Sequence, residues 1–199
     1  MTRKQNFIVA TQNKDKISEI REILSDLPFD ILSMEEAGFS QNIEETGTTF
    51  AENALIKARA VHQVTGGYVM ADDSGLSIDA LSGAPGIYSA RFHGKDSSYQ
   101  EKIEALWELL KDVPLEERTA HFICAIAVVM PDGDSFVTEG KVDGIIYDKR
   151  LGNNGFGYDP VFYIPEKGLT TAQMTSGEKH SISHRGKALQ AMLAKLEKM

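Results

Sequence analysis

Asp72 and Asp73 stand side by side at the end of an apolar run, "YVMA" (68–71), and are followed at once by Ser74 and Gly75. Two adjacent carboxylates repel, and burial raises the cost of keeping both charged. A metal ion, a lysine or water must offset that cost. If a strand continues through the pair, the two acids point to opposite faces, so only one need enter a given site. Glu44 and Glu45, in the loop before the second predicted helix, can approach from the side. A Mg²⁺ ion, which takes oxygen ligands and keeps several waters, tolerates this density of carboxylates. The same residues also suit an ordinary turn in which Asp and Ser side chains cap backbone amides.

Three further stretches carry residue types fit for chemistry. In "ATQNKDKISEI" (10–20) a strand ends, a polar turn follows and a helix begins. The free N–H groups and positive dipole end of such a helix favour an anion. Thr11 and Asn13 can donate hydrogen bonds there, and Lys16 lies in the first turn; an Asn N-cap beside a solvated lysine reads equally well. The spacing is not that of a P-loop. In "LGNNGFGYDPVF" (151–162), Gly152, Gly155 and Gly157 bracket Phe156. A loop so rich in glycine brings backbone amides close to something, with an aromatic face beside them that suits a flat base. The alternative is a surface turn with Phe156 tucked into the core. In "SGEKHSISHRGKAL" (176–189), Lys179, His184 and Arg185 crowd the opening of the last helix, where cations oppose the dipole unless an anion or another ligand joins them. A solvated basic turn with His184 as a cap is the plain reading.

The elements that must hold these residues follow from periodicity. A strand at 6–10 leads to a helix with Ile17, Ile20, Ile23, Leu24 and Leu27 on its apolar side, ended by Pro28. A strand follows at 29–34, then a polar loop at 35–48. A second helix, from about Thr49 to Val64, presents Phe50, Ala54, Ala58 and Val61, and Gly66-Gly67 stop it. The acidic strand comes next, then a Gly- and Pro-rich loop at 81–96. A third helix carries Tyr99, Ile103, Leu106, Trp107 and Leu110 and ends before Pro114. A buried strand at 120–130 turns through "PDGD" into a second strand at 135–147. The last helix starts near Ser183 and turns Ala188, Leu189, Met192, Leu193 and Leu196 inward. The strand pair departs from strict βαβ alternation, so a mixed sheet is expected.

Composition bounds the rest. The chain has 199 residues, 42% hydrophobic and 25% charged, which suits one α/β domain over residues 1–199 or two lobes sharing a core. The longest apolar run, Phe122 to Met130, is nine residues and too short to span a bilayer. No signal peptide is expected ahead of the first strand. The single cysteine, Cys124, lies inside the apolar run and reads as a buried small hydrophobe. These features favour a reducing, cytoplasmic setting. A net charge of −8 argues against a nucleic-acid polymer as partner, but not against a small polyanion.

Taken in order, "TQNKDK" (11–16), "EETGTTFAENALIKA" (44–58), "ADDSGLSIDALSGAPGIYSARF" (71–92), "GFGYDPVF" (155–162) and "SHRGKAL" (183–189) resemble the inosine triphosphate pyrophosphatase family, and most closely its bacterial dITP/XTP branch. The resemblance spans nearly the whole chain. It implies an elongated, two-lobed α/β fold with a central mixed twisted sheet flanked by helices and a nucleotide cleft between the lobes. It also implies a homodimer, a Mg²⁺ requirement and hydrolysis of non-standard purine nucleoside triphosphates to monophosphate and pyrophosphate.

Carried over, Thr11, Gln12, Asn13, Lys14, Asp15 and Lys16 form the triphosphate-binding segment. Glu44 and Asp73 hold the metal, and Asp73 accepts the proton, with Asp72 in support. Ser74 and Lys57 contact phosphate. Phe156 stacks on the base with Gly157, Tyr158 and Asp159 beside it, and Lys179, His184 and Arg185 complete the pocket. A phosphatase with an aspartyl nucleophile is disfavoured, because the Asp-x-Asp expected after an N-terminal strand is missing. A nucleotide sensor without turnover is disfavoured by the presence of both Glu44 and Asp73. The motif order disfavours a pyrophosphatase for modified pyrimidine nucleotides.

Overall fold

The computed structural model describes residues 5–26 and 28–199. Among them the strands β1 (Gln5–Val9), β2 (Phe29–Ser33), β3 (Tyr68–Ile78), β4 (Thr119–Val129), β5 (Ser135–Ile146), β6 (Phe162–Ile164) and β7 (Leu169–Thr170) line up in the order β2-β1-β3-β4-β5-β6-β7. β1 runs parallel to both β2 and β3, whereas β5–β6 and β6–β7 are antiparallel. The sheet is therefore mixed, as the "PDGD" turn suggested. That turn closes with the Met130 N–H donating to the Asp134 carbonyl at 2.8 Å.

The chain resolves into two compact units. The first comprises residues through Asp73, Cys124–Glu139 and Ala188–Met199. Here α1 (Lys14–Ile23) and α2 (Phe50–Thr65) connect the parallel strands. Ile20 from α1 and Leu24, its C-cap, pack with Phe7, Met70 and Ile126 in one hydrophobic cluster. Ala54, Ala58 and Val61 from α2 pack with Ile8, Val69 and Ala127 in another. The four-residue spacing of Ala54 and Ala58 puts small side chains on one face, so the helix can sit close to the sheet. α1 stops at Ile23, short of the predicted Pro28; the Ser25-Asp26 pair is a poor helix former. Leu27 lies outside the described residues.

The second unit comprises Ser74–Ile123 and Gly140–Lys187. Its core joins Leu76 and Ile78 of β3 to Ile103, Leu106 and Leu110 of the third helical stripe, with Phe162 and Met174. Each such side chain contributes roughly 1.5–3 kcal/mol on burial. α3 (Tyr99–Leu109) begins with a capping box, Ser98 and Glu101 satisfying each other's backbone N–H. The basic stretch at 176–189 is not one helix start. α4 (Ser176–Ile182) ends at Ser183, whose extended backbone (φ −67°, ψ 157°) breaks the path before α5 (His184–Leu196) begins. Lys179 accordingly belongs to α4, not to the opening of the last helix.

Candidate active site

The first unit gathers Asp72, Asp73, Glu45, Lys16 and Lys57 around the middle of β3. The strand continues through the acidic pair, so Asp72 and Asp73 do point to opposite faces. Asp72 is fully buried; one oxygen is paired with Lys16 Nζ, and the other accepts from the Cys124 thiol at 3.1 Å. Asp73, only 6% exposed, is paired with Lys57 at 2.8 Å through Oδ1. Its Oδ2 is buried with no hydrogen-bond partner among the described residues. Lys57 Nζ also donates to Glu45 Oε1 at 2.8 Å and to the Asp72 carbonyl at 2.9 Å. Lys57 thus meets two carboxylates and one carbonyl with its three protons.

Burial drives the Asp73 carboxyl above the ordinary aspartate value. Lys57 and Lys16 pull it back only in part, and Glu45 pushes the same way as burial. For Lys57, burial works against the charge, but Asp73 and Glu45 outweigh it and hold the ammonium above the usual lysine value. The pair is therefore a firmly charged lysine beside a carboxylate that binds protons more readily than an exposed one.

Beside this cluster lies the start of α1. Asn13 is its N-cap, with Oδ1 accepting from the N–H groups of Asp15 (2.9 Å) and Lys16 (3.1 Å). The Thr11 hydroxyl accepts from the Asn13 N–H at 3.2 Å and keeps its own proton to donate. Gln12, Lys14 and Asp15 are exposed. A groove of about 860 Å³ within the first unit has Thr11, Gln12 and Lys14 in its wall.

The second unit holds the aromatic and basic set. Phe156 sits between Gly155 (φ +70°) and Gly157 (φ +69°), a left-handed backbone that side chains rarely adopt. A Cβ at Gly155 would also run into Asp159 Oδ2. Asp159 is buried and locks the loop: it accepts from the Phe156 N–H (2.9 Å), the Thr171 hydroxyl (2.8 Å) and Lys179 Nζ (2.7 Å). Lys179 Nζ and the Arg185 guanidinium carbon lie 5.2 and 5.8 Å from the Phe156 ring centroid, within cation–π range. Arg185, 2% exposed, donates to Ser74 Oγ at 3.0 Å. His184 is buried and stacked on Phe122, centroids 4.8 Å apart. The cap of α5 is Ser183, whose hydroxyl accepts the Gly186 N–H at 3.0 Å, and not His184.

Phe156 is half-buried and stands outside the unit's hydrophobic cluster, so its ring is not a core ring. Tyr158 is the core aromatic. Its hydroxyl donates to the Ser89 carbonyl at 2.9 Å, its ring meets Tyr99 edge-on at 5.2 Å, and burial raises its pKa.

Two carboxylates, Asp73 and Glu45, share Lys57, while Glu44 is exposed and makes no ion pair among the described residues. No group of three His, Cys, Asp or Glu side chains among them is placed to hold a metal ion alone. The orphaned Asp73 Oδ2 suits an ion that takes one or two protein oxygens and draws its other ligands from water and phosphate. The sequence did not signal the thiol on Asp72. Cys124 and Asp72 lie on neighbouring strands whose register no periodicity reveals.

The Ham1 family model matches residues 7–195. A dITP/XTP pyrophosphatase of Photorhabdus laumondii is 47% identical over 191 residues, covering 95% of this chain and 96% of the relative. A protein of the same name from Bacillus subtilis is 47% identical over 190 residues, covering 96% of each. The solved structure of a HAM1 protein from Coxiella burnetii superposes with a TM-score of 0.88 at 40% identity, covering 98% of this chain and all of that one.

Proposed function

This chain belongs to the Ham1 family, and we propose that it hydrolyses non-standard purine nucleoside triphosphates (ITP, dITP and XTP) to the monophosphate and pyrophosphate, keeping deaminated bases out of DNA and RNA. The observation that carries this reading is Asp73: a buried carboxylate with one oxygen on Lys57, the other without a partner, and a raised pKa. The shared name of the bacterial relatives supports the choice of substrate.

The triphosphate engages the amide-rich start of α1, with Thr11, Asn13 and Lys16 donating to its oxygens. Asp73 and a glutamate of the 44–45 pair would hold a Mg²⁺ ion that arrives with the nucleotide. When bound, the ion neutralises phosphate charge and assists attack by water. Asp73 accepts the proton of the water that attacks the α-phosphorus, and pyrophosphate leaves. Lys57 keeps Asp73 oriented and supplies compensating charge. Ser74 contacts phosphate and is itself held by Arg185.

The base stacks on Phe156, a contact worth roughly 1–3 kcal/mol. Asp159 and Tyr158 position that loop. Donors from Lys179, His184, Arg185 and the Gly157 amide region favour a 6-oxo purine, because a 6-amino group would face donors and be left unpaired itself. The whole chain works as one catalytic domain, as a homodimer in the cytoplasm, with no nucleic-acid polymer as partner. No described helix is long and apolar enough to cross a membrane.

The test is a nucleotide panel with Mg²⁺, scored for pyrophosphate against orthophosphate. ITP, dITP and XTP should yield pyrophosphate far faster than ATP or GTP. Orthophosphate and a diphosphate as products, or equal rates on ATP, would overturn the reading.

A further inference from the structure

The segment that carries Glu44 and Glu45 has no regular secondary structure over residues 39–47, yet a site of this kind needs its carboxylates held in place. The grip comes from one face of α2. Thr49, Asn53 and Lys57 follow each other at four-residue spacing, so their side chains stack along that face. Thr49 caps the helix. Lys57 holds Glu45 at 2.8 Å. Between them Asn53, completely buried, accepts the Gly47 N–H through Oδ1 at 2.8 Å. Gly47 is fitted to this contact: a Cβ there would sit 2.7 Å from Asn53 Oδ1 and 2.9 Å from the Asn53 backbone nitrogen.

Asn53 is a costly choice for packing. Its Nδ2 is buried with no hydrogen-bond partner among the described residues, and an orphaned buried amide asks for an explanation. A leucine of similar size would fill the space without a buried amide NH₂. What a leucine cannot do is accept the Gly47 N–H, two residues from Glu45.

We propose that Asn53 is a positioning residue, which fixes the Glu44–Glu45 segment at the Asp73–Lys57 cluster and so sets the affinity for the divalent cation that accompanies the nucleotide. The inference rests on the metal-assisted pyrophosphatase reading above.

The test compares the full-length parent with Asn53→Leu, which loses the acceptor, and Asn53→Asp, which keeps it. Asn53→Ala replaces the leucine variant if that one fails to fold. Two readouts are taken. Hydrogen–deuterium exchange of the peptide spanning 44–48, in metal-free protein, reports the grip on Gly47. The Mg²⁺ concentration for half-maximal ITP hydrolysis reports the cation. In Asn53→Leu, exchange at 44–48 should quicken, and the Mg²⁺ requirement should rise about 10-fold or more, as for other groups that orient metal ligands. The KM for ITP at saturating Mg²⁺ should change little. Asn53→Asp should keep exchange at 44–48 close to the parent. A lower melting temperature with an unchanged Mg²⁺ requirement would overturn the proposal, as would unchanged exchange at 44–48. If the parent releases no pyrophosphate from ITP, the functional reading fails instead, and the exchange arm still decides whether Asn53 holds the loop.

Discussion

Asp72 and Asp73 are adjacent in sequence, yet their surroundings give them different work. Asp73→Asn should lower kcat on ITP by about 10²–10⁴-fold, the usual worth of a positioned proton acceptor. It should lower the melting temperature at neutral pH less than Asp72→Asn does, because Lys57 keeps Glu45 as a counter-charge. The sign follows from burial: a carboxyl raised above its ordinary value of 3.8 favours the fold most when protonated, below that value. That contribution is lost as pH rises through the folded pKa, so at neutral pH the neutral amide gives up little. Asp72→Asn should do the reverse. It removes the counter-charge of Lys16 at a fully buried position, and the loss of stability should approach the roughly 3–5 kcal/mol of a broken buried pair, reduced because Lys16 retains 14% exposure. Activity should fall less than in Asp73→Asn. Kinetics and thermal unfolding of both variants check this, and reversed outcomes would mean that Asp72 faces the metal. For Phe156→Ala the KM for ITP should rise, consistent with roughly 1–3 kcal/mol of lost stacking, while Phe156→Trp retains binding. A large fall in melting temperature with unchanged kinetics would return Phe156 to the core.

Among the elements, the corner between α4 and α5 determines where His184 and Arg185 stand. A Cβ at Gly186 would collide with the His180 carbonyl, and it would come within 3.2 Å of Ser183 Oγ, the α5 cap. Gly186→Ala should therefore shift the first turn of α5 and raise the KM for ITP, even though alanine is the better helix former in isolation. A gain in stability with intact kinetics would contradict the close packing of this corner. The corner was only half legible in the sequence. Cations at the start of the last helix were visible, but α4 has seven residues and no apolar stripe to reveal it. β6 and β7, of three and two residues, are too short for periodicity to detect. β3 hid its length for another reason: Asp and Gly are depleted in strands, so the run looked finished at Ala71 although pairing carries it to Ile78. By contrast, α2 and α3 were readable nearly to their ends, because apolar stripes and capping residues agree there.

At the scale of the molecule, Asp73 and Glu45 with their shared Lys57 lie in the first unit, and the Phe156 ring with Lys179 and Arg185 lies in the second. Asp73 and Ser74, consecutive residues of one strand, each belong to a different set. The ordered motifs made this legible as a family and named candidate site residues. A single position in an irregular loop could not be chosen in the same way. Glu44 and Glu45 are equivalent on paper, and only the fold pairs Glu45 with Lys57. In the proposed reaction, water attacks the α-phosphorus of the nucleotide. Hydrolysis of ITP in ¹⁸O-labelled water tests it directly, with both products weighed by mass spectrometry. Attack at the α-phosphorus places the label in the monophosphate and leaves the pyrophosphate unlabelled; label in the pyrophosphate, or in free orthophosphate, would contradict it.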